Sequence, residues 1–225
     1  MALIINAKGT MSGKEGGIVY SHNRYGSYTR QRIIPTNPAS SFQNAVRAAF
    51  EALANYWTNT LTPAERAAWD TYAANVTMTN RLSLAINITG MSMFVRNNTP
   101  RLLLGLSVKA AAPTTFTLGA IHQPAVGAIV VGPPSTVSIT PNVTDDWYLN
   151  AAGRGYVLFS RPQDPSINFC KGPFRRSVTP LVGLGGAVVM SLPFNVVAGQ
   201  KIFAQMRGIG DDSKLSAAVS FQFSV

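Results

Sequence analysis

The stretch SSFQNAVRAAFEALANYWTNTLTPAERAAWDTYAANV, residues 40–76, decides how this chain is organised. Phe42, Val46, Ala49, Leu53 and Trp57 recur at i, i+4, i+7, i+11 and i+15, which predicts an amphipathic helix from Ser40 or Ser41 to about Asn59. Arg47 and Glu51 fall on another face at i, i+4 spacing. Thr62, Pro63 and Glu65 then spell a helix start. Threonine caps the first free amides, proline suits the first helical position, and the glutamate three residues on closes a capping box. This second helix is expected to reach about Asn75 with Trp69, Tyr72 and Val76 inward. Only two or three residues separate the two, so they form a helical hairpin. A shorter third helix is expected over about Thr89–Leu104, carrying Met93, Phe94 and Leu102, with Pro100 kinking or splitting it.

Toward the N-terminus, residues 3–32 read as extended arm and hairpin. Ile18, Tyr20 and His22 alternate with Val19 and Ser21, and Tyr25, Ser27 and Thr29 alternate with Gly26, Tyr28 and Arg30, with a turn at Asn23-Arg24. Pro35 and Pro38 force an extended exit. Toward the C-terminus, Ala110–Pro134 reads as a linker with a strand or two. From Ser135 onward about seven short alternating segments are divided by turn signals such as Pro141-Asn142, Asp164-Pro165 and Gly210-Asp211-Asp212-Ser213. That spacing predicts an immunoglobulin- or fibronectin-like β-sandwich with Trp147 in its core. The expected fold class is therefore α+β: an arm at 1–38, a helical domain at 39–109, a linker at 110–134 and a β-sandwich at 135–225.

A chain of 225 residues with 46% hydrophobic content can bury a real core, which excludes wholesale disorder. Only 12% of residues are charged, so a surface covered by partner subunits and a charge-poor β-rich surface are both consistent with it. The net charge of +10 is spread along the chain; residues 1–40 hold five basic residues and one acidic one, without a Lys/Arg run. A dedicated nucleic-acid tail is thus not expected, although a diffuse positive field attracts polyanions. Cys170 is the only cysteine, which rules out an intrachain disulfide and favours a small buried side chain. No segment approaches the ~20 apolar residues of a membrane span, and the first residues lack the basic start of a signal peptide.

The succession Ser12-Gly13, Arg24-x-Gly26-x-Tyr28-x-Arg30, Pro35-x-Asn37-Pro38, Gln43, Arg47, Trp57, Leu61-Thr62 and Arg66-x-x-Trp69 resembles a family of uncharacterised proteins of phage-like and environmental bacterial genomes. In the second half, Ser160-Arg161-Pro162-Gln163, Lys171-Gly172-Pro173-Phe174-Arg175 and Asp212-x-x-Leu215-Ser216 are similar to the same family's sandwich domain. The resemblance implies a structural protein, of a virion, and no enzymatic activity. At 213 the chain has serine where the family's turn implies glycine.

Catalytic chemistry finds little material. Gly9 to Glu15 has three residues between its glycines and glutamate after Lys14, so it lacks the spacing and the hydroxyl of a phosphate loop. His22 and His122 stand a hundred residues apart without carboxylates near them in sequence. Asp145-Asp146 and Asp211-Asp212 read as solvated turn carboxylates. No catalytic residue, cofactor or metal is expected. One constellation rises above background: Lys14, Tyr20, Arg24, Tyr25, Tyr28, Arg30 and Arg32, basic and aromatic side chains interleaved among glycines. Such residues enrich interfaces, and they also stack on single-stranded nucleic acid. The expectation is a subunit-contact arm in a non-enzymatic protein that self-assembles or decorates a phage particle as a capsid-associated or tail component. Its partners would be copies of itself and other structural subunits, with weak nucleic-acid contact and no membrane. A bacterial surface filament or adhesin subunit and a nucleic-acid-binding protein are the alternatives.

Overall fold

A computed structural model describes residues 2–3, 12–23, 26–79, 84–170, 172–177 and 179–225. The chain divides into two compact units, Met1–Ser41 and Phe42–Val225. In the first, β1 (Ala2–Leu3), β2 (Gly13–Glu15), β3 (Ile18–Asn23) and β4 (Gly26–Gln31) form one antiparallel sheet in the order β1-β4-β3-β2. Gly16 takes φ +55° in the two-residue turn between β2 and β3, a conformation that glycine adopts without the penalty of a Cβ. The expected hairpin is present. Its joining residues Arg24 and Tyr25 lie outside the described ones.

The second unit opens with α1 (Ser41–Asn59) and α2 (Pro63–Asn75). At the start of α2, Glu65 N–H donates to the Thr62 hydroxyl at 3.3 Å, and Thr62 N–H donates to the Glu65 carboxylate at 2.8 Å, completing the capping box. The Thr62 N–H, and the Thr62 hydroxyl that also donates to this carboxylate at 2.8 Å, hold the Glu65 carboxyl below the usual range. A small antiparallel pair, β5 (Met78–Thr79) and β6 (Ala85–Ile86), precedes α3 (Gly90–Leu103). Pro100 neither splits nor ends α3. It sits in the last turn, where one intrahelical bond is lost, and Leu104 N–H still donates to the Pro100 carbonyl at 3.0 Å.

Leu53, Leu61, Trp69, Tyr72, Val76, Met93 and Phe94 form the helical core. The Trp69 ring meets Phe94 and Tyr72 edge-on at 5.4 and 5.9 Å. Of the predicted stripe of α1, Ala49 and Leu53 are buried, Val46 and Trp57 half-buried and Phe42 about half exposed, because α2 and α3 cover just the later turns; Phe50, outside that stripe, is also about half exposed. The span expected as a linker is no free tether. Asn98 and Lys109 exchange hydrogen bonds through the Asn98 side chain, Trp69 Nε1 donates to Ala110 O at 2.7 Å, and the Tyr72 hydroxyl donates to Thr117 O at 2.9 Å. Burial pushes the Tyr72 phenol up to about 12.

Then come β7 (Ala125–Val130), β8 (Thr136–Thr140), β9 (Arg154–Ser160), β10 (Phe174–Arg176), β11 (Leu181–Val182), β12 (Val188–Ser191), β13 (Lys201–Ile209) and β14 (Val219–Ser224). One sheet runs β10-β9-β13-β14, with β11 also on β9, and the other runs β12-β8-β7. Every pairing is antiparallel. Alternate residues point inward as the strand period requires: Val157 and Phe159 from β9, Ile202, Ala204 and Met206 from β13, Val137 and Ile139 from β8, all in one core. The fold is thus mixed α+β with a helical core and a β core. Trp147 lies in the latter, over Gly155 and Gly208, which face each other across β9 and β13.

Asp145 corrects the expectation of a solvated turn carboxylate. It is fully buried, accepts from His122 N–H at 2.8 Å, meets His122 Nδ1 at 2.7 Å, and accepts from Trp147 Nε1 at 3.1 Å. His122 therefore does have a carboxylate partner, brought from 23 residues away. Cys170 is half-buried rather than buried, in a segment that is mostly exposed.

Ser213, where the resemblance implies glycine, takes φ +68° and buries a hydroxyl that has no partner among the described residues. The conformation is left-handed and costs a non-glycine residue about 1–2 kcal/mol. Glycine's larger unfolded-state entropy offsets part of that. Ser213→Gly is expected to stabilise the protein by about 1 kcal/mol, read as a higher denaturant midpoint at unchanged slope.

Candidate subunit-contact surfaces

Strand register sorts the arm's side chains onto two faces, since directly paired residues in an antiparallel sheet share a face. Lys14, Val19 and Arg30 form one row, with Ser21 and Tyr28 in the next row of that face. Glu15, Ile18 and Gln31 form a row on the opposite face, followed by Gly13, Tyr20 and Thr29. The predicted constellation is therefore divided: Lys14, Tyr28 and Arg30 stand together, Tyr20 lies on the other side, and Arg32 follows β4 with its N–H on the Gly17 carbonyl at 2.8 Å. Arg24 and Tyr25 lie outside the described residues. Among the described side chains the Tyr20 face carries Glu15 and no lysine or arginine.

None of residues 12–22 and 27–40 is buried. A sheet of four short strands buries enough apolar surface to persist only when a hydrophobic face is covered. Ile33 and Ile34, following the sheet, are 81% and 75% exposed.

Within the second unit, the sheet face turned away from the β core carries a cleft of about 340 Å³. Tyr156 pairs with Arg207 across β9 and β13, and Leu158 pairs with Arg176 across β9 and β10, so all four share the face. Arg96, Thr99, Pro100 and Leu103 of α3 and Phe42 of α1 form the opposing wall. Arg96 donates to Leu215 O at 3.2 Å and to Asn97 Oδ1 at 2.9 Å. Arg176 donates to Leu103 O at 2.9 Å, at the negative end of α3, and stacks over Phe42 at 5.6 Å. Arg207 makes no hydrogen bond or ion pair among the described residues. No carboxylate lines the cleft. Burial, and then Arg207, hold Arg96 below the usual guanidinium range. Burial pushes the Tyr156 phenol up, against the opposing pull of Arg207, Arg96 and Arg176.

No model of a known protein family matches this chain, and no curated protein is significantly similar to it. The surfaces themselves therefore carry the functional reading. Two other cavities lie in the second unit. One of about 430 Å³ lies between Ala112, Leu118, Trp147 and Asp146, but its Asp211 and Asp212 are paired with Lys109 and Lys214 at 3.5 and 3.0 Å. The other, about 480 Å³, is a groove beside Phe169, Cys170 and Gln205. No group of three or more His, Cys, Asp or Glu able to hold a metal exists among the described residues. None of their helices is long and apolar enough to cross a membrane.

The arginine cleft was invisible in the sequence. Positions 96, 176 and 207 belong to three distant elements, and only strand register and the placement of α3 bring them together.

Proposed function

We propose that the protein is a non-enzymatic structural subunit of a repetitive assembly, most consistent with a phage-type particle in which it is a capsid-associated or tail component. The observation that carries this reading is the arm: a four-stranded unit in which none of residues 12–22 and 27–40 is buried, ending in two exposed isoleucines. Such a sheet gains its cover from a neighbour, and ordering an arm on a neighbour joins subunits over a large surface from a short segment. Exposed Phe42 and Phe50 on α1 add an apolar stripe of the kind that assembly covers. The resemblance noted in the sequence supports the virion context, and the two antiparallel sheets on one core support an immunoglobulin-like sandwich as the outward-facing part.

Deleting residues 1–34 tests this. The truncated chain is expected to keep a cooperative unfolding transition and to lose self-association, measured by sedimentation across concentration. Loss of the transition would instead make the arm part of its own chain's core, and a full-length chain that stays monomeric at every concentration and salt would remove the reading. Binding to single-stranded nucleic acid with a steep salt dependence would favour the nucleic-acid alternative through the Lys14, Tyr28 and Arg30 face.

A further inference from the structure

The chain has nine carboxylates, and seven have partners within it. Glu65 caps α2, Asp70 accepts from Gly90 N–H, Asp145 holds His122 and Trp147, and Asp146 accepts from Ala120 N–H. Asp164 accepts from Ser166, and Asp211 and Asp212 pair with lysines. Glu15 and Glu51 make no hydrogen bond or ion pair among the described residues. Against them stands one cleft in which three guanidiniums meet without an acid.

Such a cleft suits a carboxylate on an apolar stem. Its walls are aliphatic and aromatic, Arg207 has donors to spare, and a cavity of about 340 Å³ holds one or two side chains. A nucleic-acid backbone would instead call for a continuous cationic track with stacking platforms. Between the two carboxylates, Glu51 stands in the middle of α1, one turn after Arg47. Glu15 stands at an exposed Gly16-Gly17 turn, on the arm face without lysine or arginine, and Ile18 lies directly opposite it in register.

We propose that Glu15 of one copy seats in the Arg96, Arg176 and Arg207 cleft of a second copy, with Arg207 taking the carboxylate and Ile18 covering the apolar wall at Leu158 and Phe42. This rests on the assembly reading and names its contact: the arm's acidic face meets the cleft, while the Lys14, Tyr28 and Arg30 face remains turned outward.

Charge reversal tests it. Sedimentation across concentration would compare the full-length protein with Glu15→Lys, with Arg207→Glu, with both changes in one chain, and with an equimolar mixture of the two single variants. Thermal unfolding would confirm that each variant is folded, with Arg207→Gln as the milder change should Arg207→Glu fail to fold. Each single reversal is expected to raise the concentration for half-assembly about tenfold or more, as like charges in a partly desolvated contact do. The double variant and the mixture are both expected to return to within about threefold of the original value. The inference is overturned if folded single variants assemble like the original chain, or if neither the double variant nor the mixture recovers. Recovery in the double variant without recovery in the mixture would place the contact within one chain and overturn it as well. A full-length chain that never assembles removes the assembly reading and this contact with it, whereas normal assembly of Glu15→Lys removes the contact alone.

Discussion

Replacing Trp147 with alanine is expected to cost about 3–5 kcal/mol, enough to remove much of a single domain's stability. The indole is 2% exposed and lies across the facing glycines Gly155 and Gly208, while its N–H satisfies the buried Asp145 carboxylate at 3.1 Å. Truncation therefore opens a cavity between the sheets and takes from a buried carboxylate one of its donors. The glycines give the prediction a second arm. A Cβ on Gly208 would stand 2.0 Å from Trp147 Cδ1, so Gly208→Ala must displace the ring and is expected to cost about 3 kcal/mol alone. In the Trp147→Ala background the same change meets an empty slot, and its cost is expected to fall to about 1 kcal/mol or less. A double-mutant cycle from denaturant unfolding reads the coupling. Additive costs would mean that ring and glycine do not share the slot.

Trp69→Ala is expected to cost a similar 3–5 kcal/mol through the helical core. The ring is fully buried against Tyr72 and Phe94, and its N–H holds the Ala110 carbonyl at 2.7 Å. The loss should also loosen the segment that follows α3, because that carbonyl and the Tyr72–Thr117 bond tie it down. Amide exchange at Lys109, whose N–H donates to Asn98 Oδ1 at 2.8 Å, reports this directly. Trp69→Phe keeps most of the volume and is expected to cost about 1 kcal/mol, with exchange at Lys109 raised less. Equal effects of the two changes would show that volume is not what the site requires.

The elements that local chemistry specifies were legible. Thr62, Pro63 and Glu65 mark the start of α2 because a cap is built from residues three apart, and strand alternation from Ser135 onward follows from a period of two. The mixed α+β class followed from these alone. Features built from distant residues were not legible. The pairing of His122 with Asp145 and the meeting of Arg96, Arg176 and Arg207 depend on strand order, which no local pattern encodes. The stripe of α1 misled in a different way: its spacing states that a face is apolar, not that the same chain covers it. Of the arm constellation, the alternation was readable and the division between faces was not, because the register of β2 on β3 decides that Lys14 and Glu15 part company.

The fastenings between the helical part and the β part of the second unit end on peptide oxygens. Arg96 reaches Leu215, Arg101 reaches Gly210, and Arg176 reaches Leu103; among the described residues only Lys109 with Asp211 adds an ionic tie, and both of those side chains are largely wetted. Peptide oxygens bind no proton in ordinary water, and guanidinium keeps its own. A bath acidic enough to neutralise every carboxylate thus removes the wetted Lys109–Asp211 tie and leaves the three guanidinium-to-carbonyl bonds as they were, so these latches persist where an acid–base pair is undone.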